Sequence, residues 1–185
     1  MTHRSPTAPE RLLAAARTEF AGHGLAGART DRIASRARVN KQLIHYYFGT
    51  KEGLYGAALE RASQEVGESL ARLPLAGLTA VERLRRLVSG QFDYLAEHPE
   101  LTRFLIRAEG AGDWYDRAVE PLAHLLVDGQ ATGFFRDDVE PLEHARLSLL
   151  LNLGYFALRP LTSRWGEAGV WRDRTADLLV KGCTW

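Results

Sequence analysis

Lys41, Gln42, His45 and Tyr46 put four hydrogen-bonding side chains into six consecutive positions. At about 100° per residue, a helix places them on one side and Leu43, Ile44, Tyr47 and Phe48 on the other. A lysine only donates, a glutamine amide donates and accepts, and a neutral imidazole does one at each nitrogen. This set matches the base edges exposed in a DNA major groove. Lys41 suits the acceptors of guanine, Gln42 suits adenine, and His45 is the third base-reading candidate. An ordinary amphipathic surface helix gives the same wheel, so the elements around it must decide.

Three cap-type residues punctuate the region: Thr30, Asn40 and Thr50. Each can accept a hydrogen bond from the free N–H groups of a helix that follows it. They predict a short helix over 30–38, a tight break, a second short helix over 40–48 and a third helix opening at Thr50. Two short helices joined by a tight turn form a helix-turn-helix, whose second helix lies in the major groove. Thr30, Asn40, Tyr46, Tyr47 and Lys51 then become candidate phosphate contacts, partly through helix N-termini. Arg29 and Arg32 add positive charge. Tyr47 fits less well, because the wheel turns it toward the apolar side.

Charge distribution agrees. The net charge is only +1. Residues 1–52, however, carry nine Lys and Arg against four Asp and Glu, and the remainder carries 15 against 19. A basic head on an acidic body points to a head that meets a polyanion. Residues 1–8 are polar and read as a mobile arm carrying Arg4.

Other chemistries find less support. Residues 22–27 spell G-x-G-x-x-G, but an alanine-rich helix precedes them where a dinucleotide site needs a strand. The six histidines show no metal-ligand spacing, and no nucleophile motif is present. Glu109, Asp113 and Asp116 read as a solvated face shared with Arg107 and Arg117. No cofactor or metal is expected. The single cysteine, Cys183, excludes an internal disulfide framework and fits a reducing, cytoplasmic setting. The longest apolar run, 147–158, is about half the ~20 residues of a membrane span. Two other classes stay open: a helical enzyme, and an adaptor whose basic head binds an acidic protein.

The stretch from about 11 to 55 resembles the DNA-binding domain of the tetracycline-repressor (TetR) family of bacterial transcription regulators. The residues that carry the resemblance are Phe20, Gly24, Thr30, Ile33-Ala34, Ala37, Val39, Ile44-His45-Tyr46-Tyr47-Phe48, Lys51 and Leu54. Arg38 departs from the pattern, which usually has glycine there. The resemblance implies a homodimeric, ligand-responsive regulator, more often a repressor, on a near-palindromic double-stranded operator. Its domains would be 1–50 for DNA and 51–185 for effector binding and dimerisation.

The body reads as all-α. Helices are predicted over 9–23, 50–73, 79–98, 99–109, 113–132, 141–158 and 169–181, with breaks at Gly110–Gly112 and at a loop holding Trp165 and Gly166. With the two short helices this makes about nine. The helix over 141–158 is apolar nearly all round, so it needs cover on more than one side. A second copy is the simplest cover, and the resemblance implies a dimer through the last two helices. It also implies a small-molecule pocket among the fourth to eighth helices. Phe92, Phe104, Trp114 and Tyr155 are its candidate lining for a small apolar or aromatic effector. Asn152, alone in an apolar helix, must find a hydrogen bond and is assigned to the dimer contact or the pocket.

Overall fold

The computed structural model describes residues 5–109, 113–162, 164 and 167–185. Arg4, the Gly110–Gly112 break, Trp165 and Gly166 lie outside the described residues. The elements run α1 (Ala8–Gly27), α2 (Thr30–Ala37), α3 (Gln42–Phe48), α4 (Lys51–Ala71), α5 (Ala80–Glu97), α6 (Pro99–Ile106), a 3-10 turn (Asp113–Tyr115), α7 (Asp116–Ala131), α8 (Pro141–Ala157), α9 (Arg159–Thr162) and α10 (Ala168–Cys183). No strand occurs among the described residues, and α9 is a single turn that the sequence pattern does not announce.

Local chemistry sets most of these ends. Thr7 and Thr79 form reciprocal capping boxes with Glu10 and Glu82, opening α1 and α5. The Thr50 hydroxyl accepts the Gly53 N–H at 3.0 Å and opens α4. Thr30 is a correction. It is the first residue inside α2, and the preceding Arg29 offers no side-chain cap. The Glu19 carboxylate, reaching over from α1, accepts the Arg29 N–H instead at 3.0 Å. A tertiary partner has taken the role that the local sequence assigned to a hydroxyl.

α4 joins the small N-terminal head to the rest. Its ring of Tyr55 meets Phe20 of α1 edge-on at 4.9 Å and Phe104 of α6 edge-on at 5.7 Å. All three are buried within one continuous core that runs from α1 to α10. The head and body therefore share a core across residue 50.

Three glycines in α4 look like a weakness by propensity, yet two permit close approach. A Cβ on Gly53 would sit 2.2 Å from the Phe48 carbonyl oxygen, and one on Gly67 would sit 2.1 Å from that of Arg117. Arg117 lies four residues before Pro121, which has no N–H to give it. Gly67 packs against the carbonyl that α7 thus leaves exposed. Gly56 meets nothing within 4 Å.

Gly67→Ala is therefore expected to lower stability by about 1–3 kcal/mol through backbone overpacking. Gly56→Ala should raise it by roughly 0.5–1 kcal/mol. Guanidinium unfolding midpoints of both variants check the pair.

Candidate nucleic-acid interface

Helices α1 to α3 are held by Leu12, Ala16 and Phe20 packing with Ile33, Ala34, Ala37 and Ile44, all buried. At the end of α2, Arg38 takes φ 54° and ψ 49°, the left-handed conformation that closes the tight turn. A non-glycine residue there costs about 1–2 kcal/mol. Its surroundings compensate: the Val39 N–H donates to Ala34 O at 3.1 Å, and Arg11 reaches from α1 to donate to Ala37 O at 3.1 Å. The turn is the one expected of a helix-turn-helix, made without its usual glycine.

α3 buries Ile44 completely. Lys41, Gln42 and His45 are exposed beside it, and Tyr46 is the most exposed of the group at 78 %. Asn40 Oδ1 accepts the Gln42 N–H at 2.9 Å and starts the helix. Tyr47 corrects the wheel: it is 44 % exposed, with its ring 4.8 Å from that of Tyr46. A step of three residues leaves it only about 60° from Ile44, and on so short a helix that flank is open. Lys41, Gln42, His45, Tyr46 and Tyr47 thus form one continuous exposed surface.

Two predicted cations are already engaged. Lys41 Nζ lies 2.8 Å from the Asp31 carboxylate. The Arg32 guanidinium lies 2.6 Å from Glu19, which is buried. Arg32 is thereby tied to α1 as a structural group. Arg29 is exposed, and Lys51 approaches Ala26 O at 3.4 Å. Glu19 escaped the sequence reading because nothing local distinguishes it from a surface acid. A position next to Phe20 on the buried side of α1 was the available signal. Burial pushes its carboxyl up, but the Arg29 N–H and the Arg32 guanidinium outweigh that and hold it below the ordinary carboxylate range.

In the body, the four proposed lining residues and Asn152 do not converge. Phe104 is enclosed with Phe20 and Tyr55 at the junction with the head. Phe92 and Tyr155 are buried in a ring cluster with Phe156 and Trp171. Asn152 is fully buried and donates to Val88 O at 3.3 Å and Gln91 Oε1 at 3.0 Å, so it faces neither a cleft nor a free surface. An amide buried among leucines takes the nearest acceptors, and these lie on α5. Only Trp114 borders the cleft of about 690 Å³ between α6, the 3-10 turn and α8. Leu105, Ile106, Leu149 and Leu153 give that cleft its apolar wall. Arg146 stands at its edge, bound by both oxygens of Asp116 at 2.9 and 3.0 Å and by Glu143 at 2.5 Å. Asp116 is thus an ion-pair partner, whereas Arg117 pairs with Glu60 at 3.0 Å.

Among the described residues, no three His, Cys, Asp or Glu side chains are placed to hold a metal ion. No helix among them is long and apolar enough to cross a membrane. Cys183 is buried, and burial pushes its thiol up to about 11.

Comparison with known proteins places these features. The sequence model described as "Bacterial regulatory proteins, tetR family" matches residues 12–58, and "Tetracyclin repressor-like, C-terminal domain" matches residues 81–177. The chain is 32% identical over 158 residues to the HTH-type transcriptional repressor NicS of Pseudomonas putida, covering 80% of this chain and 74% of NicS. It is 42% identical over 106 residues to the HTH-type transcriptional repressor SCO4008 of Streptomyces coelicolor, covering 57% of this chain and 52% of that protein. In fold it is similar to a tetR family protein from Shewanella at TM-score 0.79, with 19% identity and coverage of 97% and 100%. FadR of Bacillus subtilis, solved in complex with stearoyl-CoA, follows at TM-score 0.72, with 18% identity and coverage of 93% and 97%.

The Glu19 clamp has a measurable consequence. A carboxylate with a lowered folded pKa contributes stability above its unfolded value, and that contribution is lost as pH falls through the folded value. Glu19→Gln is expected to cost about 1.5–3 kcal/mol at pH 7, the range for hydrogen bonds to a charged group. The gap from the unaltered protein should narrow below about pH 4, under the ordinary carboxylate value. Denaturant titrations of both proteins across pH 3–7 test this.

Proposed function

The chain belongs to the tetR family of bacterial regulatory proteins, and from that premise we propose a cytoplasmic, ligand-responsive repressor acting as a homodimer. It binds a near-palindromic operator and releases it when a small apolar or aromatic effector enters the body. One observation carries the DNA assignment: α3 buries Ile44 and leaves Lys41, Gln42, His45 and Tyr46 exposed. Lys41, Gln42 and His45 read base edges. Thr30, Asn40, Tyr46, Tyr47 and Lys51 hold phosphates, and Arg29 adds charge. Arg32 contributes field rather than contact, since Glu19 holds it.

Dimerisation is supported by the apolar residues that α8 to α10 leave uncovered. Leu147, Leu150, Leu158, Leu161, Val170 and Leu178 are each 42–64 % exposed. Soluble monomers seldom gather exposed apolar side chains on one face, and a two-fold axis at α8 and α10 would set these residues against their copies. The two heads then meet half-sites about one DNA turn apart.

The cleft at Trp114 supports the effector assignment, because its wall leads directly to the head. Leu105 and Ile106 line it. The next residue, Arg107, donates from Nη1 to Ala21 O and Gly22 O of α1, both at 3.2 Å. The Tyr55 hydroxyl of α4 donates to Arg107 O at 3.4 Å and accepts the Glu109 N–H at 2.9 Å. A ligand that shifts the end of α6 therefore pulls on α1 and α4 together. Ligand and DNA then oppose each other reciprocally, with a coupling of about 1–3 kcal/mol. The relatives are regulators rather than enzymes, and we assign the body binding rather than catalysis or adaptor function.

Selection from a random DNA pool should return an inverted repeat. With on the order of six phosphate contacts per dimer, affinity should fall roughly a thousandfold between 50 and 200 mM salt. A flat response refutes the DNA assignment. On the selected operator, Gln42→Ala should relax preference at one base position by about 1–3 kcal/mol, while Lys51→Ala should weaken all sequences alike and reduce the salt slope. Fluorescence anisotropy on matched and mutated sites separates the two.

A further inference from the structure

We infer that His45 reads an exocyclic amino group, adenine N6 or cytosine N4, because its ring enters the groove as a hydrogen-bond acceptor. This rests on the DNA-binding assignment above and adds the chemistry of one contact within it. His45 is exposed on α3, and its Nδ1 lies 2.8 Å from the Gly49 carbonyl oxygen. A carbonyl oxygen accepts and never donates. The proton of the neutral ring is therefore on Nδ1, and Nε2 keeps its lone pair.

The backbone after α3 holds this arrangement in place. Gly49 takes φ 74°, a conformation that glycine alone adopts without strain. In it, the Gly49 N–H donates to His45 O at 3.0 Å while the Gly49 carbonyl faces the His45 ring. Both polar groups of one turn residue are thus committed to His45. The side chains around it are different in kind. Lys41 has donors only, and the Gln42 amide can turn either way. Among these side chains the neutral His45 ring is the one that presents a fixed acceptor before DNA arrives.

In the major groove the amino groups of adenine and cytosine donate, whereas guanine and thymine present acceptors. Every base pair carries one amino group there, on one strand. A fixed acceptor therefore does not separate A·T from G·C. It selects which strand bears the amino base, and reversal of the pair puts an oxygen against Nε2. The contact sets the polarity of one pair in each half-site.

The test begins with the operator selected from a random pool, bound by the full-length protein at constant salt. Each adenine or cytosine of a half-site is replaced in turn by its analogue lacking the amino group, purine or 2-pyrimidinone. Separately, each purine is replaced by its 7-deaza form, which lacks the N7 acceptor. Every substitution is measured against both the unaltered protein and His45→Ala, so that effects on the duplex itself cancel. One amino deletion should weaken the unaltered protein by roughly three- to tenfold and leave His45→Ala unaffected. Coupling of His45 to an N7 position instead, or to no position, overturns the assignment. Nitrogen-15 shifts of the His45 ring in the free protein give a readout independent of DNA: the neutral ring should carry its proton on Nδ1, and a proton on Nε2 overturns the assignment as well. If the unaltered protein selects no DNA at all, the DNA-binding assignment itself fails and takes this one with it.

Discussion

Three aromatic rings from three helices meet at one point, and the placement of α3 depends on them. Phe20 of α1 and Phe104 of α6 lie with ring centres 6.2 Å apart, and Tyr55 of α4 stands edge-on to both. Edge-to-face contacts of this kind add modestly to the large area that such rings bury. Their importance here lies in position. A head of about fifty residues buries too little surface to be robust alone. By sharing its core with α4 and α6, it acquires both stability and a defined orientation. The Tyr55 hydroxyl and the Arg107 guanidinium then fix that orientation with directional bonds, which ring packing alone does not supply.

The charge of the head is divided between building it and using it. Arg11 supports the end of α2 through Ala37 O, Arg17 pairs with Glu65 of α4 at 2.6 Å, and Arg32 is held by Glu19. These cations hold helices together. Lys41 is intermediate: its partner Asp31 is 76 % exposed, so water and salt weaken the pair. The exposed side of α3 consequently includes donors without a charged partner, one donor paired with an exposed carboxylate, and one ring whose Nδ1 lies against the Gly49 carbonyl.

The body solves a different problem, that of a helix apolar on most of its surface. α8 directs Ser148 and Asn152 inward to Gln91, forming a buried polar link to α5, and Gln91 in turn reaches Ala118 O of α7 at 3.4 Å. A buried hydrogen-bonded network of this kind resists sliding of one helix past another, because a slip would break its bonds in the core, where Asn152 Oδ1 already lies without a partner. Rings from α5, α8 and α10 pack around its end. The outward side of α8 and α10 thereby carries exposed leucines, while the end of α6 is tied to α1 and α4 through Arg107 and Tyr55.

Much of this was legible in the chain itself. The all-α class, the caps at Thr50 and Thr79, and the exposure of Lys41, Gln42 and His45 beside a buried Ile44 follow mainly from interactions between residues fewer than five apart. Those interactions are present whatever the rest of the chain does, so reading them locally succeeds. The capping of α2 by Glu19, the purpose of Gly67, the enclosure of Phe104 and Asn152, and the pairing of Arg146 with Asp116 are contacts between residues ten or more positions apart. An aromatic side chain or a buried amide has the same local signature in a core as in a ligand site. Which of them faces a cleft is decided only when distant helices come together and compete for the same buried volume and the same hydrogen-bond partners.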